Sequence, residues 1–443
     1  MPNTLFNMVN PFKLHAIKSS SGRPANRLMR PMAIAFCMGL AITAEAETLQ
    51  SGELYFTILN EDDAEVCRPP EGDRYVAEKY VIPEVVEYRG NTIKVVGIGE
   101  KAFYGCTELR YVSLPATLEW IGDDAFSGCL SLGPNLELKG INRIGSGAFS
   151  YCRGIERLDL SSYAGETGEG VFMGCSQLAE VSFNDEIEII PPFSFYDCEG
   201  LNSLTLPRRL REIGQRSFAG CRNLTEISIP GSVTLIGERA FSDCNVVESV
   251  NLECHDAIIE DGAFEHLCSL TALFLTGVRE AGKNAFSGCS KMKWVEIDHG
   301  TECLGQQAFS GCNELEAVYS HPDVPPTIFQ DTFDKQTEER ALLMVPEGSG
   351  GRYEMAAYWN RFATISETAI FPVGVESITA DDALKVSING GVITLRSDDT
   401  PSLFSLHGGT IAPSRSGDTW NFSVVPGVYI LTADKACSKI IVR

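Results

Sequence analysis

The chain has 443 residues, too many for one compact core, so two or three domains or a single elongated array is expected. With 44% hydrophobic residues it has the composition of an ordinary folded protein, which excludes disorder as its main state. A formal charge of −23 works against nucleic acid and anionic membrane surfaces, because both draw affinity from Lys and Arg meeting phosphates.

At the amino end, Arg27 and Arg30 precede an apolar run over residues 32–44 that closes in Ala44-Glu45-Ala46, a small-x-small site of the kind signal peptidases cut. Residues 1–46 are therefore read as an export signal starting at Met1 or Met29. The run is too short to span a bilayer and no later stretch is apolar enough, so no transmembrane span is expected. Cys37 lies inside the run, but Phe36 before it argues against a lipid-anchor site. Residues 47–100 read as a β cap: residues 54–59 alternate, Asn60-Glu61-Asp62-Asp63 turns, and residues 80–86 and 93–98 flank Arg89-Gly90-Asn91.

From residue 101 to 330 one repeat organises the chain. Phenylalanine recurs at Phe103, Phe126, Phe149, Phe172, Phe195, Phe218, Phe241 and Phe264 with a step of 23, then at Phe286 and Phe309. Cysteine follows three residues later at Cys106, Cys129, Cys152, Cys175, Cys198, Cys221, Cys244, Cys289 and Cys312, while the remaining copy has Leu267 there and Cys268 one step on. Four residues before the Phe stands Gly99, Gly122, Gly145, Gly168, Gly214, Gly237, Gly282 or Gly305, with Pro191 and Glu260 in the other two copies. In Ile213-Gly214-x-x-Ser217-Phe218-x-x-Cys221-x-x-Leu224-x-x-Ile227-x-Ile229-Pro230, residues 225–229 alternate as a half-buried strand must, and Pro230 ends it. The Gly is expected to supply a turn conformation, and a short helical or irregular limb carries the chain back. Each coil is one strand plus a return limb and cannot bury its apolar face alone. Stacked coils would place strands about 4.8 Å apart in a parallel sheet, with the Phe, Cys, Leu and Ile columns inside.

The A-F-x-x-C-x-x-L repeat with its Ile-Gly turn resembles the BspA-like leucine-rich repeat, over about residues 80–365. The fold this implies is an α/β leucine-rich-repeat solenoid, with a parallel sheet on one face and short helices or irregular turns on the other. Departures at Gly133-Pro134 and Leu267-Cys268 are expected to be local bulges, and residues 160–170, which lack the Ile, a looser turn. Residues 331–369 read as a degenerate coil and cap: Phe329 and Phe333 open it, residues 342–346 form a last strand, and Tyr353, Tyr358, Trp359 and Phe362 lie on a short helix whose aromatic face plugs the core. In residues 370–443 the period vanishes and short alternating runs predict a small antiparallel β-sandwich. Its Pro426-Gly427-Val428-Tyr429-Ile430 and Lys439-Ile440-Ile441-Val442-Arg443, with Leu406-His407-Gly408-Gly409 upstream, are similar to carboxy-terminal sorting domains of type IX secretion; a plain accessory β-domain is the other reading.

Catalytic or metal chemistry finds little support. The histidines (His15, His255, His266, His299, His321, His407) form no pair at metal spacing, and no nucleophile elbow, P-loop or dinucleotide fingerprint appears, so neither metal nor cofactor is expected. Cysteines in register would have parallel side chains too far apart for disulfides, and a straight ladder offers no tetrahedral zinc site. They read as buried thiols donating weakly to backbone carbonyls. Cys67, Cys254, Cys303 and Cys437 lie outside the column and leave room for one disulfide. Strict repeat phase also leaves few inserted loops for an active site, so the chain reads as a non-enzyme.

Binding reads differently. The outward strand column runs Ser113, Glu137, Asp159, Ser182, Thr205, Ser228, Asn251, Phe274, Glu296 and Tyr319, with Trp294 in the neighbouring column and Tyr111 at the opposite end. Aromatic side chains on a rigid face are what hot spots use, so Phe274, Trp294, Tyr319 and Glu296 are the candidate contact patch; the rings covering each other is the plain alternative. The resemblance implies an exported, surface-attached adhesion protein that meets extracellular proteins or glycoproteins of host or neighbouring cells through its sheet face. A carbohydrate-capturing module whose aromatics stack on glycans and a purely architectural role are the alternatives.

Overall fold

The structure, a computed structural model, describes residues 47–70 and 74–368 and, further on, 386–389, 392–395, 402–405, 410–411, 413–416, 419–423, 427–433 and 436–442. The export signal with Cys37 and Met29, and Leu406-His407-Gly408-Gly409, lie outside the described residues.

The chain enters through a β cap. Strands Thr48–Ser51, Leu54–Ile58 and Asp63–Cys67 follow one another antiparallel, and Val85–Tyr88 pairs with Asn91–Ile98 across a turn at Arg89 and Gly90, both at positive φ (51° and 82°). Asn91–Ile98 lies parallel to Asp63–Cys67 on one side and to Trp120–Ile121 on the other, so the sheet of the cap runs straight into the first coil.

Each coil has three sides. One carries the longer strands, among them Tyr111–Ser113, Arg157–Leu160, Glu180–Phe183, Glu226–Ile229, Ser249–Leu252, Ala272–Leu275, Trp294–Ile297 and Ala317–Ser320. A second carries short parallel strands built on the residue before the Gly, such as Trp120–Ile121, Arg143–Ile144, Glu212–Ile213 and Leu235–Ile236. This second ladder corrects the expectation of a single parallel sheet. The third side is the Phe limb, which between residues 101 and 330 is a run of turns with no helix. Its residues two before and two after each Phe sit in the left-handed region, as at Arg216 and Gly220 (φ 51° and 77°) around Phe218. That alternation aims backbone N–H groups along the stack: Phe103 donates to Ala125 O (2.7 Å), Phe126 to Ala148 O (2.7 Å) and Phe218 to Ala240 O (2.8 Å). The limb thus satisfies alternate N–H groups by bonding to the next coil, while those between close turns within the limb, as Ala125 does on Gly122 O (3.3 Å) and Ser127 on Asp124 O (3.0 Å).

Inside the triangle the phenylalanines form a single file. From Phe103 to Phe309, and on to Phe333, successive ring centroids are 5.0–5.6 Å apart with planes within 16° of parallel. Beside it runs the thiol column. Cys129 Sγ donates to Phe103 O (3.1 Å), Cys152 to Phe126 O (3.1 Å) and Cys198 to Phe172 O (3.2 Å), and the pattern continues to Cys312 on Phe286 O (3.4 Å). Cys67, Cys254 and Cys303 are free thiols, so no disulfide joins those three; the Cys437 side chain is outside the described residues.

The glycine four before each Phe is needed for another reason than the turn conformation expected of it. None of the eight has a positive φ. A Cβ on Gly122 would stand 2.7 Å from Glu100 N, and one on Gly237 2.7 Å from Gln215 N, so it is close approach of the preceding coil that excludes a side chain. Where Pro191 takes this place it has no N–H to give to Thr167, and the short ladder breaks there into Trp120–Ile121 through Glu166–Thr167 and Ile189–Ile190 through Cys303–Leu304. Residues 160–170 are correspondingly less loose than expected, since Glu166–Thr167 pairs in register with Arg143–Ile144. Leu267 occupies the Cys place fully buried, and the bulge falls instead between Ala257 and Ile258, against Val278–Ala281, where the one-residue-shorter coil is absorbed.

At the carboxy end, Leu342–Pro346 and Thr364–Thr368 extend the long ladder in parallel. Phe333, Tyr353, Trp359 and Phe362 close the ring file, Trp359 lying 5.9 Å from Phe333 and 5.4 Å from Tyr353. The expected single helix is two pieces, Gly350–Met355 and the 3-10 turn Trp359–Arg361, and a further helix, Lys335–Arg340, precedes them. Residues 386–442 supply two four-stranded antiparallel sheets, Val386–Asn389, Val392–Leu395, Thr419–Ser423 and Ser414–Ser416 in one and Thr410–Ile411, Ser402–Ser405, Gly427–Ala433 and Ala436–Val442 in the other.

Candidate binding surface

Period-two alternation turns every second residue of the long strands outward. In Ala272–Leu275, Trp294–Ile297 and Ala317–Ser320 the inward Leu273, Val295 and Val318 are buried while Phe274, Trp294, Glu296 and Tyr319 face out. The register sets Phe274 opposite Glu296 and Glu296 opposite Tyr319, with Trp294 opposite Ala317 in the adjacent column. The structure therefore gathers all four residues on three consecutive strands.

The patch is less open than the sequence suggests. Phe274, Trp294, Glu296 and Tyr319 are each half-buried, and the Trp294 Nε1 atom is buried without a hydrogen-bond partner. Reading along the outward columns missed His321, which turns in beside the patch. It is 1% exposed and its Nε2 lies 3.0 Å from Glu296 Oε1, at ion-pair distance but off the hydrogen-bond direction, while the exposed His299 meets its ring edge to face at 5.3 Å. The signal for this residue was present in its spacing, two places beyond Tyr319 where the strand ends, but a lone histidine carries no partner in sequence. The result is an apolar surface enclosing one shielded carboxylate.

Continuity of the ladder distinguishes this end. The five strands Ala272–Leu275, Trp294–Ile297, Ala317–Ser320, Leu342–Pro346 and Thr364–Thr368 form the longest unbroken part of the long ladder. At the opposite end Tyr111 is 51% exposed with Lys79 Nζ 5.1 Å from its ring centroid, on an isolated two-strand pair. Among the described residues no three His, Cys, Asp or Glu side chains are grouped so as to hold a metal, and no helix is long and apolar enough to cross a membrane.

A family model described as the BspA type leucine rich repeat region matches residues 91–192, 165–279 and 257–341, with six copies of the repeat. No curated protein matches the chain by sequence. Similar solved structures include a leucine-rich repeat protein from Bacteroides ovatus, 22% identical, covering 62% of this chain and 94% of its own, with a TM-score of 0.33. A leucine rich cell surface protein from Faecalibacterium prausnitzii is 18% identical over 63% of this chain and 96% of its own, with a TM-score of 0.32. The Pneumococcal vaccine antigen PcpA is 16% identical over 73% of this chain and 99% of its own, with a TM-score of 0.42.

Proposed function

The chain belongs to the BspA-type leucine-rich-repeat family, and from that premise we propose that it is an exported adhesion protein whose long sheet face grips extracellular proteins or glycoproteins through Phe274, Trp294, Tyr319 and Glu296. The carrying observation is their convergence on three consecutive strands of the most continuous stretch of ladder. A rigid scaffold loses little entropy on binding, and half-buried aromatics add area at low cost in rotamer freedom. The export signal predicted for residues 1–46, and the carboxy-terminal sheets read as a sorting or accessory domain, support this surface role. A BspA-type solenoid supports binding, and nothing in the patch resembles a catalytic constellation.

The test is an affinity pull-down of matrix and host-cell glycoproteins by the whole chain, beside a glycan array. Trp294→Ala should weaken capture by about 2 kcal/mol or more at a temperature where its own melting curve shows the variant still folded. A Trp294→Ala protein that retains every partner would remove the patch from the reading. Retention of free glycans, lost with Trp294, would favour the second reading, aromatic stacking on sugars.

A further inference from the structure

One coil leaves the long ladder open. Residues 203–206 keep the apolar positions of the repeat, with Leu206 buried and Leu204 half-buried, yet no backbone hydrogen bond ties them to Glu180–Phe183 before or to Glu226–Ile229 after. Asn202 N–H to Ala179 O, at 3.5 Å, is the nearest link on this side. Beyond the opening, Glu248 donates to Thr225 O (2.9 Å) and Glu253 to Ile229 O (3.1 Å). Successive residues of a parallel strand turn their polar groups to opposite edges, so the N–H and C=O of Glu226 and Ser228 face residues 203–206 and meet nothing there. The other two sides of these coils stay closed: Ile190, Ile213 and Ile236 remain in register and the Phe195 and Phe218 rings are 5.3 Å apart. The coils are splayed on one face only. A cavity of about 410 Å³ opens there, lined by Ser203, Thr205, Thr225, Glu226, Ser228 and Glu253.

We propose that this groove takes an extended polypeptide segment of a partner, read through its backbone and through one basic side chain. The groups on offer are a row of amide donors and carbonyl acceptors at strand spacing, which a strand-shaped backbone complements. Ser203, Thr205 and Ser228 are small and leave the row accessible, and the carboxylates of Glu226 and Glu253 call for a Lys or Arg. The groove is independent of the aromatic patch, which lies on strands from Ala272 onward.

The experiment titrates the whole chain with the acetylated, amidated peptide Thr-Lys-Val-Thr-Val-Thr by calorimetry and follows amide exchange by mass spectrometry. Binding should slow exchange within 203–206 and 226–228, and should weaken about tenfold in the Glu226→Lys, Glu253→Lys double variant and about tenfold for the same peptide N-methylated at alternate residues. The variant's melting curve checks that its fold is kept. Trp294→Ala should leave the titration unchanged, which separates this site from the proposed adhesion patch. Absence of peptide binding, equal binding of the N-methylated peptide, loss with Trp294→Ala, or maltohexaose taking the groove instead would each overturn the proposal.

Discussion

Phe218 shows what a single side chain does in this array. Its ring is fully buried and stacks at 5.3 Å on Phe195 and 5.2 Å on Phe241, so truncation opens a void between two rings whose own spacing is held by backbone bonds and cannot collapse. Phe218→Ala should cost about 3–5 kcal/mol, read from the shift in a urea unfolding midpoint. The thiols answer to the same burial. It pushes Cys175, Cys244 and Cys312 up to about 12 and holds Cys152, Cys198, Cys221 and Cys289 well above the ordinary thiol value. Iodoacetamide at neutral to mildly alkaline pH should therefore label the half-buried Cys67, Cys268 and Cys303 and spare the column from Cys129 onward until the chain unfolds. The unfolded thiols ionise from about 8.5, before the folded ones. Stability should accordingly be undiminished below that pH and fall as pH rises from there toward the folded values, a trend that urea midpoints across the range will show. Both columns were legible in the sequence because identical residues at identical spacing leave one geometric solution. Their contacts were legible in kind, as weak donation to backbone carbonyls, but which carbonyl receives each thiol, that of the Phe in the preceding coil, depends on how the coils stack.

At the scale of the coil, sequence reading fell short where the deciding distance lies between coils. The recurring Gly, which the repeat alone suggests is there for a turn, serves the passage of one chain over another, and nothing in a single repeat reveals how close the neighbour comes. Gly237→Ala would drive its Cβ to 2.7 Å from Gln215 N and 2.8 Å from Ile213 O, backbone atoms that can yield only by moving a coil. We expect a loss of about 1–3 kcal/mol in thermal unfolding although Gly237 does not hold a positive φ. The second ladder escaped notice because two-residue strands are too short to show alternation. The left-handed positions were equally silent: Lys101, Asp124, Phe193, Arg216 and Arg239 hold them as readily as glycine does, since the bond to the next coil supports a conformation that the side chain alone would disfavour. The open coil at residues 203–206 carries Leu201, Leu204 and Leu206 in phase, so no periodicity could have flagged it. In the patch, the strand positions of Phe274, Trp294, Glu296 and Tyr319 were readable, but their half-burial and the approach of His321 depend on tertiary packing.

For the molecule as a whole the ends decide whether a stack of coils remains a single soluble chain. Tyr75 and Tyr80 cover Phe103 at 4.7 and 5.8 Å, and Trp359, anchored by its Nε1 donating to Pro326 O (2.8 Å), covers Phe333. Trp359→Ala should cost about 3–5 kcal/mol and bare the last ring, so that light scattering detects association well below the melting temperature of the parent protein.

The Phe limb also has a direction. In it each coil gives N–H groups forward: Gln307 and Phe309 still meet main chain, at Asp331 O (3.0 Å) and Thr332 O (2.9 Å), but the next donor, Gly311 N–H, is received by the Asp334 carboxylate (2.6 Å), which also takes the Ser310 hydroxyl (3.0 Å). A carboxylate can accept but cannot pass an amide onward. Duplication of a 23-residue unit in the middle of the gene would therefore lengthen the protein without disturbing either terminus, whereas a unit appended after Asp334 would find the seat already taken.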